Sequence, residues 1–122
     1  MTAINPPFEF QDPTNDNVVV VCCNILNDEV GLGLFILNGA DIDLTLTKLD
    51  LISFVEALSE IEDKKEPVLM KFPDLGDGPS LVRLSADEEN VTAILTVPER
   101  SLSFTISKVD IIGFVEFLQP AL

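Results

Sequence analysis

Histidine, tryptophan and tyrosine are absent from this 122-residue chain, and lysine and arginine number only seven against 21 aspartates and glutamates, a formal net charge of -14. Without histidine, neither Ser-His-Asp or Cys-His catalytic sets nor histidine-ligated metal centres can be built within one chain. The excess of carboxylates repels DNA phosphates and the anionic leaflet of a membrane, because attraction to both comes from lysine and arginine. Long apolar runs are also missing: Val18–Cys23 and Val30–Leu37 are the longest, and neither could span a bilayer. Residues 1–17 hold Pro6, Pro7, Pro13, Glu9, Asp12 and Asp16 and no apolar core of signal-peptide length. A cytoplasmic location without membrane contact is the expectation.

What is present is enough to fold. Apolar residues make up 47 % and charged residues 23 %, so the acidity lacks the apolar depletion of a disordered chain. The length suits a single domain that buries a core without metal or disulfide. The two cysteines, Cys22 and Cys23, are adjacent within a run of strand formers and should point to opposite sides of a sheet as reduced thiols.

A duplication organises the chain. Thr45–Leu58 reads TLTKLDLISFVEAL and Thr105–Leu118 reads TISKVDIIGFVEFL, with eight identities in fourteen positions. The same offset of 60, without a gap, lines up Val30–Leu37 with Asn90–Val97, Asp28-Glu29 with Glu88-Glu89, and Phe8–Phe10 with Val68–Met70. The expectation is one domain over residues 1–122 made of two repeats, about 1–60 and 61–122.

In the first repeat, Phe8–Gln11, Asn17–Ile25, Val30–Leu37 and Asp41–Thr47 read as strands separated by turn formers. In the last of these, Ile42, Leu44 and Leu46 alternate with Asp41, Asp43 and Thr45, as a sheet with one wet face requires. Val68–Phe72, Ser80–Ser85, Val91–Val97 and a strand with Leu102, Phe104 and Ile106 inward repeat the pattern. Each fourth strand runs into a helix. Thr47 with Asp50, and Ser107 with Asp110, have the spacing of a capping box. Leu51, Phe54, Val55, Leu58 and Ile61 form the stripe of the first helix. The predicted class is α+β, a tandem ββββα unit with antiparallel sheets and two packed helices.

The second helix is apolar over most of its circumference, with Phe117 where the first has Ala57 and Gly113 where it has Ser53. Such a helix packs against something extra, either the first helix or a second subunit. Ile111, Phe114, Phe117 and Leu118 are the candidate self-association residues of a dimer.

Other candidates are read as structural. Asp74–Pro79 lacks the ligand spacing of a calcium loop and reads as a turn. Gly31-Leu-Gly33 suits a bulge or close strand approach rather than a nucleotide loop. Asn90-Val-Thr92 fits a glycosylation sequon but reads as a turn entering a strand. Asp87-Glu88-Glu89 reads as a solvated hairpin tip. Asp41 and Asp43, the one pair considered for acid–base chemistry, alternate with core residues on a regular strand, so no catalytic residue and no cofactor are assigned. Residues 1–60 carry ten acids and one base, and residues 61–122 eleven acids and six bases, giving nets of -9 and -5.

Two tandem units of four antiparallel strands and a helix resemble the single-stranded-DNA-binding-regulator fold shared by Whirly proteins, PUR repeats and the PC4 coactivator, a fold that small bacterial proteins also share. The resemblance implies paired curved sheets, packed helices and a single-stranded nucleic-acid ligand, for which Lys71, Arg83 and Arg100 are the candidate contacts. The residues themselves point to a non-catalytic acidic interaction or regulatory protein that self-associates and contacts a protein partner. Imitation of DNA by the acidic sheet, to occupy a DNA-binding protein, is a further reading.

Overall fold

The computed structural model describes residues 2–3, 6–37, 39–73 and 79–122. The first unit runs β1 (Thr2–Ala3), β2 (Phe8–Gln11), β3 (Val18–Leu26), β4 (Glu29–Ile36), β5 (Asp41–Thr47) and α1 (Lys48–Glu60), closed by a 3-10 turn, Ile61–Asp63. The second runs β6 (Val68–Phe72), β7 (Ser80–Ala86), β8 (Asn90–Val97), β9 (Arg100–Ser107) and α2 (Lys108–Leu118), closed by a 3-10 turn, Gln119–Ala121. Every strand pair is antiparallel. Each unit is a four-strand-wide sheet followed by a helix, so the chain is an α+β tandem repeat.

The first sheet has one element that periodicity does not reveal. β1 is two residues long and pairs with Asn24 and Ile25, beyond the stretch of β3 that β2 covers. Pro6 and Pro7 fall between β1 and β2, and proline has no N–H to continue a ladder, so this edge is split in two.

The helices start on their predicted hydroxyls. Thr47 Oγ1 and Ser107 Oγ each accept the N–H of the residue three positions on, Asp50 and Asp110, at 3.1 Å. Only this half of the capping box forms. Asp50 Oδ2 is buried without a partner, as expected of a side chain one methylene shorter than the glutamate that normally reaches back to the cap.

The two units share one core. α1 packs on α2 and on its own β4 and β5, and also reaches β6 of the other sheet; α2 packs on its own β9 and on β2. The turn Ile61–Asp63 meets β7, and Gln119–Ala121 meets β3. The crossing is therefore reciprocal. Phe54 and Phe114, at matching positions of the two helices, meet edge-on with centroids 6.2 Å apart, as residues on either side of a local two-fold axis would.

Pairing corrects the gapless alignment. Leu46 opposes Val30 and Ile106 opposes Val91, so β5 maps on β9 at an offset of 60 while β4 maps on β8 at 61. Cys22 opposes Gly33 and Arg83 opposes Ile94, so β3 also maps on β7 at 61. Phe10 opposes Val19 and Phe72 opposes Ser80, which puts β2 on β6 at 62. Each added residue lies in a connection of the first repeat: eight residues separate Phe10 from Val19 against seven between Phe72 and Ser80, and seven separate Leu34 from Ile42 against six between Leu95 and Leu102. A slip of one residue turns a strand over, so the offset of 60 had matched inward residues of β3 and β4 with outward ones.

The helix partner in question is internal. Ile111, Phe114, Phe117 and Leu118 are all buried within the single chain. Phe8 of β2 stacks on Phe114 and Phe117 at 5.7 and 5.8 Å. A Cβ at Gly113 would come within 3.1 Å of the Phe8 ring, which explains the glycine. These four side chains are consumed by the chain's own core, so the self-association surface expected of them is not available on its exterior.

Candidate interaction surfaces

With the inner stripes of both helices buried, and Leu49, Val109 and Ile112 left exposed on their other sides, each sheet turns one face outward; the register fixes which residues stand on it, Val20 among them being buried. On the first sheet, Glu9, Val20, Phe35 and Asp41 form one cross-strand row, and Cys22, Gly33 and Asp43 the next. The matching rows of the second sheet are Lys71, Leu81, Thr96 and Ser101, then Arg83, Ile94 and Ser103, with Leu69 beside Arg83 on the edge strand. Position by position, Glu9 becomes Lys71, Cys22 becomes Arg83, Gly33 becomes Ile94, and Asp41 and Asp43 become Ser101 and Ser103.

The first face is acidic, and a carboxylate covers its glycine. Asp43 leans over Gly33, so that a Cβ there would lie 3.0 Å from Asp43 Oδ1. β4 pairs in unbroken register from Glu29 to Ile36. Gly31 and Gly33 therefore mark no bulge, and the close approach at Gly33 is by a side chain across the ladder. The second face has no carboxylate at any of its outward strand positions from Leu69 to Thr105. It exposes Leu69 at 67 %, Leu81 at 38 % and Ile94 at 36 %. Lys71 and Arg83 stand among them on adjacent strands, one row apart.

Of the three predicted cationic contacts, the structure brings Lys71 and Arg83 together and sends Arg100 elsewhere. Arg100 lies at the start of β9 and reaches across the seam between the sheets, its Nη1 3.0 Å from Asp41 Oδ1. Both side chains are more than half exposed, so the pair contributes little. The seam is held more firmly by Asp12, which is 3 % exposed. Its Oδ1 accepts the N–H and hydroxyl of Thr14 at 2.8 and 2.6 Å, and its Oδ2 accepts the N–H of Thr105 at 2.9 Å. β9 is an edge strand, and this carboxylate satisfies one of its outward N–H groups. Nothing local in Asp12-Pro13-Thr14 signals a bond to a residue 93 positions away.

The remaining candidates are structural where they are described. Asp87 Oδ1 accepts the N–H of Asn90 at 2.7 Å and of Glu89 at 2.9 Å, and these two bonds hold its carboxyl below the usual range. The shallow open cleft at this hairpin is lined by the four residues Asp87–Asn90 themselves. Thr92 of the sequon shares a 3.2 Å hydrogen bond with Thr105 across the ladder. Cys23 is buried and its thiol is pushed up to about 11, first by burial and then by the neighbouring charge of Cys22, which lies on the outer face. Asp74 and Asp77 lie outside the described residues. Among the described residues no three Cys, Asp or Glu side chains gather as metal ligands would, and no helix is long and apolar enough to cross a membrane.

No protein-family model matches this chain, and no curated protein matches it either.

Proposed function

We propose that this chain is a non-catalytic interaction or regulatory protein that acts by self-association and protein contact, with the outer face of the second sheet as its docking surface. One observation carries the reading: on a chain with three acids for every base, this face has no outward carboxylate and sets Leu69, Leu81 and Ile94 around two cations. Burial of exposed leucine and isoleucine drives association, and arginine is favoured at interfaces. Sedimentation equilibrium from micromolar to millimolar concentration tests it. The wild type is expected to gain mass with concentration and Leu69→Asp/Ile94→Asp to remain monomeric. A wild type that stays monomeric throughout overturns self-association.

The pairing of Lys71 with Arg83 on one sheet face supports a second reading, single-stranded nucleic-acid binding, which is also what the fold resemblance implies. Two cations neutralise few phosphates, so this reading requires weak binding whose logarithm falls with log salt at a slope no steeper than about -1.4. Titration of a labelled oligonucleotide at about 50 mM salt, where electrostatic attraction is strong, tests it, and no binding there ends it.

A further inference from the structure

The two outer faces differ in the sign of their charge at the same positions of the same architecture. Glu9, Asp41 and Asp43 carry negative charge on the first face, where the Asp43 carboxylate covers Gly33. Lys71 and Arg83 carry positive charge on the second, beside the exposed Ile94 that occupies the Gly33 position. We infer that the occupant of the second face is the first face of another copy of this chain, in a head-to-tail contact; this rests on the self-association proposed above.

Charge selects this arrangement over its alternatives. A symmetric contact of two second faces sets Lys71 and Arg83 against their own copies, and a symmetric contact of two first faces sets carboxylates against carboxylates. Like charges brought together at an interface are penalised, and opposite ones guide partners to register. In the head-to-tail contact the cations meet Glu9 and Asp43. Leu69 and Ile94 lie over a face whose middle row holds Cys22, Gly33 and the Asp43 carboxylate that leans over that glycine. Each copy keeps one used and one free face, so such contacts build a ring where the rotation closes and an open chain where it does not.

Complementation of two blocked variants tests the arrangement. Leu69→Asp/Ile94→Asp spoils the second face, and Glu9→Lys/Asp43→Lys spoils the first; all four positions are exposed. Far-UV circular dichroism checks that each variant is folded, and Lys71→Glu/Arg83→Glu serves as a second block of the second face. At a concentration where the wild type is at least half associated, each variant alone is expected to sediment as a monomer, with self-affinity at least about tenfold weaker than that of the wild type. An equimolar mixture is expected to give a species of two chains and no larger, because its outer faces are both spoiled. A first-face variant that associates as well as the wild type overturns the head-to-tail contact and leaves self-association standing. A mixture of folded variants that stays monomeric while the wild type associates does the same. A monomeric wild type overturns both.

Discussion

The two sheets of this chain have the same strand order and the same inward pattern but opposite exteriors. Inward, Val30 matches Val91, Leu34 matches Leu95 and Leu46 matches Ile106. Outward, Glu9 matches Lys71, Gly33 matches Ile94 and Asp43 matches Ser103. The contrast separates two kinds of constraint. A shared core restricts inward positions to similar volumes, whereas outward positions answer only to solvent and partners. The net charge of each half, -9 against -5, is the coarse trace of this difference.

The comparison extends into the core, and the largest expected effect lies there. Phe54 and Phe114 occupy matching sites, but Phe114 also stacks on Phe8 of the first sheet. Phe114→Ala is expected to cost about 3 to 5 kcal/mol, and Phe54→Ala measurably less, in urea denaturation followed by circular dichroism. Equal costs would mean that Phe8 adds nothing to the second helix. With no tryptophan or tyrosine in the chain, fluorescence is a poor probe for this experiment.

A smaller effect tests the seam. Asp12→Ala leaves the N–H of Thr105 without its partner and is expected to cost about 2 kcal/mol. Asp12→Asn, whose amide oxygen can still accept that bond, should cost roughly half as much. Equal loss in both variants would show that the charge, rather than the acceptor, matters there.

The two cysteines compare the two sides of one sheet. Because the folded chain keeps the Cys23 proton up to about 11, only about one thiol in a thousand is ionised there at pH 8. Alkylation is therefore expected first at Cys22, which mass spectrometry of the labelled peptide resolves. The sign for stability follows from the raised value. The folded state holds the proton where the unfolded chain, near 9.0, releases it, so the contribution of this thiol to stability is constant below about pH 9 and is lost as pH climbs toward 11. A Cys23→Ala variant should lack that loss.

The smallest effect is at the exposed Arg100–Asp41 pair. Its removal by Asp41→Ala should change stability by no more than about 0.5 kcal/mol, and the change should shrink further in salt.

Much of this fold was legible in the amino acids because the informative signals are local. Alternation in Asp41–Thr47 located β5 to the residue, and Thr47 and Ser107 marked both helix starts. Register was legible only where no connection intervenes, from β5 through α1 and from β9 through α2. Before that, hairpin lengths differ by single residues that clusters of turn formers conceal, and each hides which side of a strand faces out. The exterior of the second sheet was concealed for the same reason: Leu69, Leu81 and Ile94 look like core until the pairing turns them outward. Asp12 was illegible for a different reason, since its partner lies in the other repeat. The apolar girth of α2 is met by Phe8 only on the side of Phe114 and Phe117, while Val109 and Ile112 of the same girth stay exposed.

The reciprocal crossing of the helices also bears on how the chain is made. During synthesis the first repeat emerges with Leu51, Phe54, Leu58 and Ile61 prepared for packing, while much of what covers them has yet to leave the ribosome. The nascent half is thus expected to wait, sticky and incomplete, until α2 arrives, and then to lock in a single cooperative step. A chain truncated after residue 63 should be protease-sensitive, whereas the full-length chain should resist cleavage in both halves.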